Sequence, residues 1–308
     1  MKISFIIPCY RSYKTIGGVC NEIIEQINLR EGTEYEIITV NDCSPDNVID
    51  KLYELAEKNT NIKVIDFAKN MGKHCALMAG FRYSTGDYVL CVDDDGQCPV
   101  EHMWELVDKL DEGYDVAMAQ YGQKAQSGFK NFGSKMNNWM MEKFIQKPKD
   151  FQFSNFAAMK KFVIDEIVRY ENPYAYVNGL ILRTTQKIVN VPMKERAREI
   201  GKGGYTFKKS LALWIDGISA FSVKPLRYVN VLGIIFAIIG FLFALFIIIR
   251  KIINPAIYVG WTSIMSCLLI LGGITLTALG LIGEYVGRIY MCINNSPQYV
   301  IRNTKNID

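Results

Sequence analysis

Histidine is scarce in this sequence, and it has no paired cysteines and no large excess of charge of one sign. Only His74 and His102 are histidines among 308 residues, and none of the eight cysteines belongs to a C-x-x-C pair. A zinc site is therefore not expected, and the cysteines are expected to be reduced thiols of a cytosolic domain. Lysine and arginine number 35 against 31 acidic residues. This near balance disfavours a nucleic-acid partner.

Two common nucleotide-binding motifs are also absent. The sequence holds neither G-x-G-x-x-G nor G-x-x-x-x-G-K-[ST], which argues against a dinucleotide-dependent oxidoreductase and a P-loop ATPase. No signal peptide is expected, because the apolar run at residues 3–8 is short and polar residues soon follow it. The N-terminal part of the chain is therefore expected to stay in the compartment where it is made.

Charge is missing from two long stretches near the C-terminus. Residues 229–249 carry no charged side chain, and a helix of that length spans roughly 31 Å, the thickness of a bilayer's hydrocarbon core. A second uncharged stretch covers residues 252–283, in which residues 254–258 with Pro255 favour a turn and 259–282 a returning helix. We therefore expect a transmembrane hairpin over residues 229–283.

Basic residues flank this hairpin and predict its orientation. They are Lys208, Lys209, Lys224 and Arg227 before it, and Arg288, Arg302 and Lys305 after it. Both termini are expected in the cytosol, with residues 284–308 as a cytosolic tail of a multi-pass plasma-membrane protein. Residues 205–228 place apolar side chains on one helical stripe, which predicts an amphipathic helix on the membrane surface. A helix packed on the domain would show the same pattern.

Short β-rich runs alternate with helical ones before the membrane segment. Strands are predicted at residues 3–8, 36–41, 62–67, 88–92 and 116–120, and helices at 15–29, 48–59, 73–83 and 99–112. This order predicts right-handed βαβ units, hence an α/β domain over residues 1–204 with a mostly parallel sheet. Ligands of such sheets bind beyond the carboxyl ends of the strands. Polar clusters at residues 8–12, 41–44 and 93–97 fall at three such ends.

Three consecutive carboxylates, Asp93, Asp94 and Asp95, follow the predicted strand at 88–92. Their mutual repulsion is relieved if a cation lies among them. A solvated acidic loop would have the same sequence, whereas an EF-hand frame fails because its last position falls on Trp104 instead of glutamate. Asp93 and Asp95 are spaced to reach a common Mg²⁺ or Mn²⁺ that keeps coordination positions for a diphosphate.

The order of motifs along the chain resembles glycosyltransferase family 2. The motifs are I-I-P-C-Y at 6–10, V-N-D-C-S-P-D at 40–46, N-M-G-K-H-C-A-L-M-A-G at 70–80 and V-D-D-D-G-Q-C at 92–98. The segments R-E-I-G-K-G-G-Y at 198–205 and G-E-Y-V-G-R-I-Y at 283–290, on either side of the hairpin, resemble the polyprenyl-phosphate glycosyltransferases of that family. The resemblance implies a GT-A-type domain that transfers one hexose, with inversion, from a nucleotide sugar to undecaprenyl phosphate.

The resemblance also implies residue roles. The nucleotide sugar would be held by Pro8, Tyr10, Ser12, Val40, Asp42, Lys73, Asp94, Arg198 and Lys202. Mg²⁺ or Mn²⁺ would be held by Asp93, Asp95 and Gln97, and the catalytic set would be Asp93, Asp94, Asp95 and Arg198. The acceptor phosphate requires cationic and hydroxyl partners. We assign it to Lys124, Lys130 and Ser134, the last two of which share a helical face.

The chain departs from the family's pattern at three places. Arg11 and Ser12 stand where the family commonly has Asn-Glu, and Asn41 replaces the first aspartate of a D-D pair. Gly203 and Gly204 replace Ser-Lys, a loss of charge for which Lys202 is a candidate substitute.

The acceptor needs no strong base, because a lipid monophosphate has a second pKa near 6 and is largely anionic at neutral pH. His74 is accordingly given no catalytic role. UDP-glucose is the favoured donor, while UDP-GlcNAc, UDP-galactose, GDP-mannose and a homo-oligomeric state stay open. A processive polysaccharide synthase would need a Q-x-x-R-W segment that the sequence lacks. A non-catalytic nucleotide-sugar-binding membrane protein remains the alternative from another class.

Overall fold

A computed structural model of the chain describes residues 1–122, 142, 147–173, 175–194, 196, 224–253, 260–294 and 296–307. The chain divides into two compact units. One unit comprises Met1–Lys209 together with Asn295–Asp308, and the other comprises Ser210–Asn294.

The first unit is an eight-stranded sheet with helices. Its elements are β1 (Lys2–Cys9), α1 (Ile16–Ile27), β2 (Glu34–Asn41), α2 (Val48–Lys58), β3 (Ile62–Phe67), α3 (Lys73–Arg82), β4 (Tyr88–Cys91), a 3₁₀ turn (Val100–His102), α4 (Met103–Asp111), β5 (Val116–Tyr121), β6 (Ala157–Lys160), α5 (Lys161–Ile167), α6 (Val177–Thr184), β7 (Ile188–Met193) and β8 (Ile301–Lys305). The strands and helices predicted up to residue 120 are confirmed, with small shifts at their ends.

The middle of the sheet is its most apolar part. The strand order is β7-β5-β6-β4-β1-β2-β3-β8, and β1 runs parallel to both of its neighbours. Phe5, Ile6 and Ile7 of β1 are fully buried. A strand with helices over both faces must be apolar on both sides, which explains its uninterrupted hydrophobic run. The carboxyl ends of β1, β2 and β4 consequently meet at one edge.

Five elements of this unit went unpredicted from the sequence, namely β6, α5, α6, β7 and β8. Strand β6 lies antiparallel between β4 and β5, so those two strands are not adjacent. Its sequence A-A-M-K has little β propensity, and its pairing on both sides supplies the stability instead. Strand β8 pairs antiparallel with β3. Residues 301–305 of the expected separate tail are therefore part of the sheet.

The second unit contains two long helices, α7 (Lys224–Ile253) and α8 (Trp261–Ile293). Within the described residues, one stretch is long and apolar enough to cross a membrane, Leu271–Ile293 of α8. The predicted turn at 254–258 lies outside the described residues, as do residues 205–223 of the predicted amphipathic helix.

A buried carboxylate ties the amino ends of the strands together. Glu36 of β2 is only 2% exposed. It forms an ion pair with Lys63 at 2.8 Å and accepts hydrogen bonds from the Ser4 hydroxyl at 2.5 Å and the Thr85 amide at 2.6 Å. Burial alone would raise the pKa of Glu36, but these partners outweigh it and lower that pKa to about 2.

The Glu36 network predicts a pH-dependent loss of stability in Glu36→Gln. Because the folded pKa lies below the ordinary value of 4.5, the carboxylate stabilises the fold above that value and ceases to do so as the pH falls toward 2. We expect the substitution to cost about 3 kcal/mol at pH 7, since it leaves the Lys63 charge poorly compensated. Thermal unfolding of the full chain in detergent at a series of pH values measures this.

Glu34→Gln is the matched control, because Glu34 starts the same strand and is exposed. An equal effect of the two substitutions at pH 7, or a wild-type advantage that does not shrink toward pH 3, would contradict this account.

Candidate functional site

The loops that follow β1, β2 and β4 are joined by hydrogen bonds at the carboxyl edge of the sheet. The Tyr10 amide donates to Asp94 Oδ2 at 2.8 Å, and the Arg11 amide donates to Ser44 Oγ at 2.7 Å. The Thr15 hydroxyl donates to the Asp94 carbonyl at 2.5 Å. The loop after β1 is thus fixed to both of its neighbours, and the three polar clusters found in the sequence share one cleft edge.

Asp42 is buried and holds the loop that precedes α3. Its Oδ1 accepts from the Met71 amide at 2.6 Å, and its Oδ2 accepts from the Gly72 amide at 2.9 Å. Gly72 has a φ of +84°, a conformation that side-chain-bearing residues rarely adopt. Burial raises the pKa of Asp42, and the two amides partly offset this. Both oxygens of this carboxylate, which is predicted to hold the nucleotide sugar, therefore already accept backbone hydrogen bonds.

Asp94 is the member of the acidic loop whose charge is most affected by its surroundings. Burial raises its pKa to about 6, against the hydrogen bond from the Tyr10 amide, which lowers it. The neighbouring charges of Asp93 and Asp95 also raise it. A carboxylate with this pKa is mostly ionised at neutral pH.

Asp93 forms an ion pair with a lysine side chain. Its Oδ1 forms an ion pair with the ammonium of Lys73, the first residue of α3, and its Oδ2 accepts from Asn155 Nδ2 at 2.8 Å. Asn155 was missed in the sequence, because it lies far from the acidic motif in an otherwise unremarkable run before β6. Lys73, predicted for the nucleotide sugar, thus contacts a predicted metal ligand.

Gln97 anchors the end of the acidic loop. Its backbone amide donates to Asp95 Oδ1 at 3.2 Å, and its side-chain Nε2 donates to the Arg196 backbone carbonyl at 3.3 Å. The Arg196 guanidinium is held between Glu22 of α1 and Glu101 of the 3₁₀ turn, and these carboxylates raise its pKa against the effect of its partial burial. Arg196 is a second residue that the motif search missed.

The other residues predicted to bind the nucleotide sugar differ in how exposed their side chains are. Tyr10 is 44% exposed at the cleft edge, whereas Ser12 is buried. Pro8 lies within β1 beside Val40 of β2, whose side chain is fully buried and belongs to the core. Five predicted residues lie outside the described residues, and their roles stay predictions: Lys124, Lys130, Ser134, Arg198 and Lys202.

The acidic loop offers the carboxylate oxygens that hard divalent cations prefer as ligands. Among the described residues, no three His, Cys, Asp or Glu side chains cluster as a complete metal site. Asp93 and Asp95 nevertheless provide two carboxylates on one loop, and Asp93 already attracts the Lys73 charge. Mg²⁺ is commonly bound through one or two carboxylates, with substrate phosphates and water as further ligands. The residues present therefore fit Mg²⁺ or Mn²⁺ bound together with a diphosphate.

A cavity of about 710 Å³ opens at the ends of β5 and β7. Its walls include Gln120 and Tyr121 of β5, Met193 of β7, and His102 with Glu105, which are 2.7 Å apart. Gly122 and Lys194 complete its rim, at the last positions before two stretches outside the described residues. His74, by contrast, is partly buried beside Tyr176, and its partial removal from water lowers its pKa to about 4, so it is neutral at pH 7.

Residues 4–168 match the family model described as "Glycosyl transferase family 2". The match covers more than half of the chain, and the chain belongs to this family. It is 31% identical over 304 residues to an undecaprenyl-phosphate 4-deoxy-4-formamido-L-arabinose transferase of Proteus mirabilis, covering 98% of this chain and 93% of that protein. It is 30% identical over 309 residues to the uncharacterized glycosyltransferase YkcC of Bacillus subtilis, covering 100% and 95%.

Solved structures share the fold. The glucosyl-3-phosphoglycerate synthase of Mycobacterium tuberculosis in complex with UDP superposes with a TM-score of 0.51 at 16% identity, covering 71% of this chain and 78% of that one. The same synthase with Mn²⁺ and UDP-glucose gives a TM-score of 0.50 at 17% identity, covering 71% and 77%. The likeness at this identity concerns the fold alone and confirms the predicted GT-A-like α/β domain.

The Asp42 hydrogen bonds predict a local and measurable effect of Asp42→Asn. In asparagine, an NH₂ group replaces one of the two carboxylate oxygens, and this group cannot accept a hydrogen bond. The backbone amide of Met71 or Gly72 that faces it therefore loses its acceptor. We expect the free energy of unfolding to fall by about 1–3 kcal/mol, with faster hydrogen exchange at Met71 and Gly72. Asp50→Asn, at an exposed position in the first turn of α2, is the control. Unchanged exchange at residues 71–72 would contradict the account.

Proposed function

We propose that the protein transfers a single hexose, with inversion, from a nucleoside-diphosphate sugar to undecaprenyl phosphate at the inner face of the plasma membrane. The observation that carries this proposal is the joining of the acidic loop to the loop after β1 through Asp94 and the Tyr10 amide. It places carboxylates that can bind a metal and a diphosphate beside a half-exposed aromatic side chain that suits a base. The name of the full-length P. mirabilis relative supports the acceptor class.

The donor is proposed to lie across the carboxyl ends of β1, β2 and β4. Asp93, Asp95 and Gln97 would hold Mg²⁺ or Mn²⁺, which when bound stabilises the charge of the departing diphosphate. The mycobacterial synthase of similar fold was solved with Mn²⁺ and UDP-glucose, which supports this assignment. Asp94 is proposed to lie beside the sugar or ribose. Lys73 is well placed to contact a diphosphate, because it already lies against the acidic loop.

The acceptor is proposed to enter by the cavity at the ends of β5 and β7. The segment with Lys124, Lys130 and Ser134 begins just past Gly122 at its rim, and the segment with Arg198 and Lys202 begins past Lys194. Both cationic segments therefore start at this cavity. A lipid phosphate that is already anionic would need only to be positioned and desolvated there. UDP-glucose is our favoured donor, with UDP-GlcNAc, UDP-galactose and GDP-mannose as the other candidates.

The connectivity of the chain supports two membrane crossings. Strand β8 follows α8 in sequence, yet it belongs to the same sheet as β1–β7. A single crossing between residues 224 and 294 would put β8 on the opposite side of the membrane from β3, its partner. An even number of crossings would keep β8 and β3 on the same side of the membrane. We propose that α7 and α8 form the predicted hairpin, with the catalytic domain and the tail in the cytosol.

Metal dependence is the first test of this function. Purified protein is incubated with undecaprenyl phosphate, Mn²⁺ or Mg²⁺ and a panel of nucleotide sugars, and the lipid product is weighed by mass spectrometry. We expect one hexose mass to be added, and a chelator to stop the reaction. Asp95→Asn is expected to lower turnover about 100-fold, because the diphosphate loses its charge stabilisation.

Asp165→Asn on α5 is the control for this test, since Asp165 is exposed and pairs with Lys161 at the start of the same helix. Full turnover of Asp95→Asn in the presence of chelator would rule out the metal. Binding of a nucleotide sugar by the wild-type protein without any lipid product would favour the non-catalytic alternative.

Membrane topology is the second test. A cysteine at Ala256 in the predicted turn, with Cys267 and Cys292 replaced by serine, is expected to react with a membrane-impermeant maleimide added to intact cells. The remaining six cysteines lie in the proposed cytosolic domain and are expected to stay unlabelled until the cells are opened. Labelling at position 256 only after lysis would contradict the hairpin.

A further inference from the structure

Asn41 and Asp66 form a buried pair at the carboxyl ends of β2 and β3. The two residues are register partners in the parallel ladder, and each is 4% exposed. Asn41 Nδ2 donates to Asp66 Oδ1 at 2.7 Å, while Asn41 Oδ1 accepts from the Ser44 amide at 3.1 Å. The asparagine side chain therefore acts as donor on one side and acceptor on the other.

An aspartate at position 41 could not make both contacts. Its ionised side chain only accepts hydrogen bonds, so one of its oxygens would face Asp66 Oδ1 where the 2.7 Å bond now lies. Two buried carboxylates at that distance repel each other strongly. The charge at position 66 thus accounts for an asparagine at position 41.

The tail strand supplies the positive charge for Asp66. The β3–β8 ladder is irregular between Asp66 and Phe67, since Asp66 pairs with Asn303 and Phe67 with Ile301. Arg302 is the extra residue at this bulge, a feature that commonly redirects a side chain. Its Nη1 lies 3.6 Å from Asp66 Oδ2, and its Nη2 donates to the Ala68 carbonyl at 3.2 Å.

The pair is connected to the loops of the donor cleft. Ser44, whose backbone amide donates to Asn41, also uses its hydroxyl. The hydroxyl accepts a hydrogen bond from the Arg11 amide at 2.7 Å and donates one to Asp46 at 2.6 Å. Asp46 in turn accepts from the Tyr13 amide at 3.1 Å. Arg11 and Cys43 have φ values of 60° and 48°. Such left-handed conformations are unfavourable for these residues and require support from their surroundings.

We propose that Asn41, Asp66 and Arg302 are positioning residues for the donor site. The pair holds the loop after β2, in which Cys43 has a left-handed conformation. The guanidinium of Arg302 neutralises the buried Asp66 charge. The nucleotide part of this inference rests on the proposed function. It assigns to the tail, which follows the membrane helices, a part in donor binding.

A double-substitution cycle tests the pair. Asn41→Asp is expected to weaken binding of UDP or GDP, used as probes in titration calorimetry, about tenfold. It is also expected to speed hydrogen exchange in peptides covering residues 9–15 and 41–47. Adding Asp66→Asn returns one donor and one acceptor to the pair, so the double variant is expected to lie within about threefold of wild type. Arg302→Gln is expected to give a smaller effect in the same direction as Asn41→Asp.

Asn61→Asp makes the same chemical change at an exposed residue just before β3 and is the control. The inference is overturned if Asn41→Asp behaves like Asn61→Asp in both readouts, or if Asp66→Asn does not restore it. Should Asn41→Asp fail to fold, a folded double variant supports the pair, and an unfolded one overturns it. If wild type binds neither probe, the proposed donor class fails, and hydrogen exchange alone decides on the pair.

Discussion

The structure depends on supplying donors and cations to the carboxylates crowded at one edge of the sheet. Asp42 and Asp66 are buried and Asp94 is partly buried, and charges so placed need hydrogen bonds or a partner of opposite charge. Asp42 receives two backbone amides, Asp94 receives the Tyr10 amide, and Asp66 receives an asparagine amide and a guanidinium. The paths of the loops are therefore set by the positions at which their backbone amides can donate to these carboxylates.

Separate roles for the two ends of the strands follow from the same electrostatics. At the amino ends, Glu36 is surrounded by partners that lower its pKa to about 2, so its charge is permanent under physiological conditions and serves stability. At the carboxyl ends, burial raises the pKa of Asp94 to about 6. The partners of Asp94 and Asp42 there are backbone amides of the loops, so these carboxylates fix the paths of the loops. The amino edge of the sheet is thus stabilised by a paired charge, and the carboxyl edge by carboxylates that hold its loops.

The sequence predicted the first half of the domain well, because its strands are apolar on both faces and its helices alternate with them regularly. It failed between residues 157 and 193, where A-A-M-K forms β6 only by pairing on both sides, and at β8, whose polar residues carry no apolar alternation. The acidic loop could be located from Asp93, Asp94 and Asp95 alone. Its partners Lys73, Asn155 and Arg196 come from distant segments, and contacts between such segments leave no local pattern.

Strand β8 also has a consequence for how the protein is made. Residues 301–305 are made after both long helices, so β3 has no partner on its outer side until they have been synthesised. An unpaired strand edge readily joins other chains, and the nascent domain carries this hazard until β8 has been made. Both α7 and α8 are synthesised before that moment. Completion of the sheet therefore waits for these two helices, and a chain cut short before β8 is left with an exposed, aggregation-prone edge at β3.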